Sequence, residues 1–340
     1  MWRWRLMPVL ILIQANLNLL IPNTYASPTS AGPTSTEEAQ IIWHEGKEAF
    51  LGSRFTEATQ NLQRLMDRYP ADPHRDEALE ILGTAYYRLG DTQRSIPLLL
   101  AALDAQDSEI RGQQLRLLLG KTYLLAGKYD EALLAVNGIE KASPQLELPQ
   151  NLRSEATLLK GQALFEKNHL DRAHLAILSL ESELPQIHDT DLQNRIYSFR
   201  LQVGLMKCAR ISTAGPLTEL QVKDQTERRA NCLLDQVIAA KPLFFAKNAK
   251  TPDGLIKPLK LAFEGLQEIY RHPPTPPELK DRKRTHTELA RYRAELGMLL
   301  EPIFKKTLSQ AQELLQKWKT GAPVMETELL STLLNALKKM

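Results

Sequence analysis

Residues 115–144 read LRLLLGKTYLLAGKYDEALLAVNGIEKASP, and this stretch decides the fold. Apolar residues recur at helical spacing on both sides of a short polar elbow, Ala126-Gly127-Lys128-Tyr129-Asp130. Gly120 precedes the elbow, Ala132 follows it, and Pro144 closes the unit. Two helices approach closely where both carry small residues, so a glycine on the first facing an alanine on the second lets a hairpin close. Val136, one turn beyond Ala132, seals the contact on the same helix face. Proline cannot continue a helix, so Pro144 ends the second one.

The arrangement recurs in both directions along the chain. Anchor glycines stand at Gly46, Gly83, Gly120 and Gly161, at steps of 37, 37 and 41 residues. Twelve residues after each come Ala58, Ser95, Ala132 and Ala173, and sixteen after each come Leu62, Leu99, Val136 and Ile177. Twenty-four after each stand Pro70, Asp107, Pro144 and Pro185. The second unit departs most: serine replaces alanine, the closing proline is missing, and Pro97 sits where the second helix should run. An interior proline costs about 3 kcal/mol, which predicts a late start or a kink there.

This pattern resembles the tetratricopeptide repeat family, through Gly46, Ala58 and Pro70, then Gly83, Tyr86 and Ala102. The third unit adds Leu119, Gly120, Tyr123, Gly127, Tyr129, Ala132 and Pro144, and the fourth Gly161, Ala173 and Pro185. The family repeat is 34 residues, so the longer steps here imply extended links. The resemblance implies an all-α fold: a solenoid of antiparallel helical hairpins followed by a C-terminal helical segment. Four repeats span residues 39–185.

A fifth, inserted repeat is expected over 186–252, with Gly204 on its first helix and Ala230, Leu234, Val237 and Pro242 on or after its second. About 14 extra residues, Ser212 to Pro216 among them, enlarge its elbow. Residues 253–340 form a helical C-terminal region: an amphipathic helix over 253–271, a break at HPPTPP, and a long helix over 276–319 with Pro302 inside. Gly321-Ala322-Pro323 ends it. A last helix carries Leu329, Leu330, Leu333, Leu334 and Leu337 on one face and closes on Lys338-Lys339.

The chain start has another character. Residues 1–7, MWRWRLM, are positively charged, an apolar run from Leu6 to Ile13 follows, and Thr24-Tyr25-Ala26 offers small residues around a cut after Ala26. That order is that of a cleavable secretory signal over residues 1–26. A membrane span needs about 20 apolar residues, and Gln14, Asn16 and Asn18 interrupt this one. Residues 27–38, SPTSAGPTSTEE, read as a flexible leader. The expectation is an exported chain, periplasmic or secreted, with no span in its mature form.

Composition narrows the function classes. With 43% hydrophobic and 24% charged residues and a mean hydropathy of −0.31, the chain is neither disordered throughout nor a multi-span membrane protein. Its formal charge is +3; without Arg3 and Arg5, 41 basic residues face 40 acidic ones. Such balance gives no footprint for nucleic acid, and 6% aromatics argue against stacking on single strands.

No motif of catalysis or metal binding completes itself. His44-Glu45-Gly46-Lys47-Glu48 lacks the second histidine of a zinc-protease helix. Gly120-Lys121-Thr122 mimics the end of a phosphate loop, but Leu115 stands where the loop needs glycine. His169 and His174 are five apart, on different helix faces, and no nucleophile elbow occurs. No cofactor or metal is expected. Lys280-Asp281-Arg282-Lys283-Arg284 reads as a solvated helix start rather than a site. Cys208 and Cys232, one on each helix of the inserted hairpin, are an even pair in an exported chain and suggest a bridge stapling that elbow. Two buried thiols are the alternative, because the family's register does not place these positions level.

In the family the first helices of the hairpins line the concave face. Four residues after each anchor glycine come Phe50, Tyr87, Leu124 and Phe165, an apolar ladder; one after each come Lys47, Thr84, Lys121 and Gln162, a polar stripe. Together they suit an extended or helical peptide, though packing between repeats would use the same residues. The expected role is a non-catalytic scaffold that binds a protein or peptide partner in that groove. The alternatives are a helical cell-wall-acting enzyme, with its catalytic part in 253–340, and a self-associating homo-oligomer.

Overall fold

A computed structural model describes residues 35–142, 146–212, 217–239, 253–276, 279 and 286–318. The expected signal over 1–26, most of the leader, Pro144, Pro242, the Lys280–Arg284 run and the leucine-faced segment past 319 lie outside them. Among the described residues the structure is all-α and contains no strand.

Four antiparallel hairpins come first: α1 (Ser35–Leu51) with α2 (Phe55–Arg68), α3 (Arg75–Arg88) with α4 (Thr92–Asp104), α5 (Glu109–Leu125) with α6 (Tyr129–Ala142), and α7 (Gln150–Glu166) with α8 (Leu170–Glu183). The glycine register explains each closure. A β-carbon on Gly46 would lie 2.7 Å from Leu62 Cδ2, and one on Gly83 would lie 2.9 Å from Leu99 Cδ2. Ala58, Ala132 and Ala173 are fully buried, as are Leu62, Leu99 and Val136. Ser95 takes the alanine's place by donating its hydroxyl to the Gly83 carbonyl at 2.7 Å, which satisfies a buried polar group inside the hairpin. In the third and fourth units the glycine does a second job. Gly120 leaves room for Leu159, and Gly161 for Phe199, so each faces the next hairpin as well as its own.

The elbows share a register that the sequence alone did not announce. Ser53, Gly90, Gly127 and Asn168, each seven residues after an anchor glycine, all have positive φ, from 58° to 78°. Each ends a first helix in a Schellman-type turn: Arg54, Asp91, Lys128 and His169 donate N–H groups to the carbonyls of Ala49, Tyr86, Tyr123 and Leu164. Glycine and asparagine adopt this conformation at little cost, whereas Ser53 is held there by the surrounding hairpin.

Two expectations about the first four hairpins need correction. The leader was expected to stay irregular through residue 38, yet α1 begins at Ser35. Glu37 and Glu38 complement the positive end of the helix. Glu38 also pairs with Arg64 and Arg68 of α2, and its hydrogen bond with Tyr69, then that with Arg64, holds its carboxyl below the usual range. Pro97 does not delay α4, which starts at Thr92 with the Asp91 side chain accepting from the Arg94 N–H at 3.1 Å.

Beyond the four hairpins come a short 3₁₀ turn, Leu184–Gln186, then α9 (Thr190–Ala209) and α10 (Glu219–Ala239). Ala230, Leu234 and Val237 are buried on α10, but the side chain over Gly204 is Gln236, so the fifth hairpin closes in a shifted register. Cys208 and Cys232 are joined by a disulfide between α9 and α10, with Cα atoms 5.6 Å apart. α11 (Asp253–Arg271) packs on α9 and α10, and α12 (His286–Trp318) packs on α10 and α11, with Pro302 inside it. The long helix was expected from residue 276, but Pro276 lies in an irregular link.

Leu233, Leu266, Ile269, Leu296 and Leu300 build the core of this C-terminal unit. Tyr292 is fully buried within it; its hydroxyl donates to the Pro274 carbonyl at 2.6 Å, and burial pushes its pKa up to about 12. Lys223 ties α10 to α12 through Glu295 and also pairs with Glu219 of its own helix. Burial opposes its charge, yet those two hydrogen bonds outweigh it and raise the ammonium above its ordinary value. No described helix is long and apolar enough to cross a membrane.

The bridge spans a sequence separation of 24 residues, so chain-entropy reasoning assigns it about 3 kcal/mol. Paired Cys208→Ser and Cys232→Ser substitutions are expected to lower the thermal midpoint, and reductant to do the same to the wild type. Identical melting curves with and without reductant would show that the bridge contributes nothing.

Candidate functional site

The first helices of successive hairpins, α1, α3, α5 and α7, followed by α9, stand side by side. Their last turns end at the left-handed elbows, so the residue three positions before each elbow presents the same aspect every time. Those residues are Phe50, Tyr87, Leu124 and Phe165, whose carbonyls accept the N–H groups of Ser53, Gly90, Gly127 and Asn168.

Three of the four meet at one cleft of about 510 Å³. Tyr87, Leu124 and Phe165 line it, with Tyr129 at its side, and all four are partly exposed. Leu158, Leu159 and Phe199 form the buried floor. Phe165 meets Phe199 edge-on at 5.8 Å, an arrangement that suits the ring quadrupoles. A volume in this range accommodates one or two bulky side chains. Phe50 is elsewhere: it packs in the first hairpin's core and against Phe55 at 5.8 Å.

The polar stripe divides in the same way. Lys121 and Gln162 line the cleft; Lys47 and Thr84 do not. Lys47 pairs with Glu77 at 2.9 Å and lies over the Trp43 ring, and Thr84 donates to the Glu80 carbonyl of its own helix. Lys121 is engaged too, by Glu155 of α7, which also takes Arg195 of α9. Glu80 of α3 pairs with Arg111 of α5 at 2.9 Å. Each neighbouring pair of first helices, from α1 to α9, is therefore crossed by at least one ion pair. Glu155 and Arg195 also line the cleft and were not singled out from the sequence. Their signal is a glutamate six residues before an anchor glycine, shared by Glu77 and Glu155, one repeat beyond a lysine that follows a glycine.

Chemically, the cleft offers an apolar floor, aromatic walls and the linked charges of Lys121, Glu155 and Arg195, with the exposed Glu166 also in its lining. Among the described residues no group of three or more His, Cys, Asp or Glu side chains gathers to hold a metal ion.

Residues 45–110 match the Tetratricopeptide repeat family. No curated protein matches the chain. Among solved structures, a tetratricopeptide repeat protein from Parabacteroides merdae ATCC 43184 aligns with 88% of this chain and 98% of its own at 14% identity, with a TM-score of 0.43. The apo form of RapI aligns with 84% of this chain and 100% of its own at 15% identity, with a TM-score of 0.47. Likeness at that level says nothing about what the chain binds.

Glu155 neutralises two partly exposed cations. Glu155→Ala should cost about 1 kcal/mol of stability, discounted for solvent screening, and the loss should shrink in high salt. Denaturant melts at two salt concentrations measure this; an equal loss in both would mean that packing, not charge, holds the ring together.

Proposed function

We propose that this chain, whose residues 45–110 match the Tetratricopeptide repeat family, is an exported, non-catalytic scaffold of the periplasm or cell envelope that holds a segment of a partner protein in its concave cleft. The fold supports a protein–protein interaction scaffold in general. The cleft carries the more specific reading. Tyr87, Leu124 and Phe165 come from three successive hairpins and converge on one apolar floor without being fully buried in it. Partly exposed aromatic and aliphatic side chains at the centre of a concave surface are the usual anchors of protein recognition. Lys121, Glu155 and Arg195 are already paired with one another, so a partner gains mainly by covering apolar surface.

Export rests on separate grounds. Residues 1–26 have the order of a cleavable signal, and a disulfide between Cys208 and Cys232 suits an oxidising compartment.

Two measurements test these points. A cross-linked pull-down from the native envelope would compare wild type with a Tyr87→Ala, Leu124→Ala, Phe165→Ala variant, once circular dichroism shows the variant folded. Anchor truncations of about 1 kcal/mol each should weaken capture roughly a hundredfold, whereas Phe50→Ala should leave it intact. An unchanged partner list would move binding off the cleft. Mass spectrometry of the mature protein should find Ser27 at its N-terminus; retention of residues 1–26 would sink the export reading.

A further inference from the structure

The fifth residue after each anchor glycine makes a second row beside the ladder: Leu51, Arg88, Leu125 and Glu166. All four are exposed, Leu125 at 57%. Leu125 and Glu166 line the cleft, and the Arg88 guanidinium lies over the Tyr87 ring, 5.9 Å from its centroid. Beside the cleft there is thus a cation on α3, an apolar side chain on α5 and a carboxylate on α7.

These two charges differ from the others at the cleft. Lys121, Glu155 and Arg195 neutralise one another, whereas neither Arg88 nor Glu166 has an ion-pair partner among the described residues. Arg88 suits the end of its helix, where the partial charge is negative. Glu166 does not: it is the last residue of α7, no basic residue shares that turn, and its carboxylate faces the helix's own negative end. Lys167, next along the chain, is taken by Asp130. Helix stability gives no account of Glu166; an incoming cation does.

Two carboxamides add to the lining. Gln162 and Gln202 have no hydrogen-bond partner among the described residues, and each offers both donor and acceptor. A helical ligand satisfies its backbone groups internally, while an extended one brings N–H and C=O groups that need such partners. Neighbouring helices stand about 8–10 Å apart. An extended chain advances roughly 3.3 Å per residue, so one step from helix to helix takes about three residues.

We propose that the cleft selects an extended partner segment carrying an acidic, a bulky apolar and a basic residue, spaced about three residues apart, with the acid against Arg88 and the base against Glu166. This rests on the cleft being the binding surface, and it adds which segment is taken and how it lies across the helices. Exposed ion pairs contribute little affinity, so the apolar residue supplies the hold and the two charges fix register and choice of partner.

The test pans a displayed library of random heptapeptides, with phenylalanine fixed at the centre, against the full chain. Recovered peptides should carry an acidic residue at one end and a basic residue at the other. Glu166→Lys should instead recover peptides acidic at both ends, and Arg88→Glu peptides basic at both ends. A peptide selected on wild type should bind Glu166→Lys roughly tenfold more weakly at low salt, and the gap should close at high salt. No recovered binder, or end charges that stay the same across the three proteins, overturns the proposal. If such charge-blind peptides are still lost by the Tyr87, Leu124, Phe165 alanine variant, the cleft remains the binding surface and only the charge rule falls. If that variant keeps them, the cleft itself is the wrong surface.

Discussion

Each hairpin in this protein closes where a glycine has no side chain to hold two helices apart. At Gly46 and Gly83 the leucine of the returning helix occupies the space a β-carbon would need, at 2.7 and 2.9 Å. Because that contact recurs at a fixed register, the elbow falls seven residues later each time and the ladder residue three residues before the elbow. The concave surface is thus an indirect product of the hairpin cores: set the glycine, and the aspect of residue four is set with it. In the third and fourth units the same vacancy admits Leu159 and Phe199 from the next hairpin, so one steric allowance serves both closure and stacking.

That dependence explains what could be read from the sequence. Small and aliphatic residues at twelve and sixteen positions past each glycine are one-dimensional signals of burial, and they fix the fold because packing leaves few alternatives. Gly90, Gly127 and Asn168 tolerate a left-handed elbow, but Ser53 carries no such preference, so the shared register emerges only in the structure. Pro97 does not delay α4, whose start has an aspartate cap and a buried hydroxyl bond to offset its cost. The fifth hairpin kept its buried positions and lost its register, because an inserted elbow frees the second helix to slide until Gln236, not Leu234, covers Gly204.

The site was less legible than the fold. A stripe of polar residues at one register looks uniform in sequence, yet its members face different neighbours. Lys47 meets Glu77 and Trp43, Thr84 turns to its own helix, and Lys121 meets a glutamate that Arg195 also claims. Which neighbour is present depends on the following repeat, some 30 or more residues away. Pairing across repeats is a two-dimensional fact, and it decides whether a lysine is a free hand for a ligand or a tie between helices. Phe50 shows the same limit from the apolar side: at the end of the row it has Phe55 beside it and a core to enter, while Tyr87, Leu124 and Phe165 have a shared hollow.

The bridge between Cys208 and Cys232 separates two tasks that the other elbows must perform together. In the four regular hairpins a tight turn both connects the helices and sets their angle, so its length and its left-handed residue are constrained. In the fifth, a covalent link between the helix bodies sets the angle, and the connecting loop between α9 and α10 is left only to connect. Such a loop can grow, shrink or change character without disturbing what lies on either side. Of all the elbows in the molecule, it is the place where new sequence could be added at least structural cost.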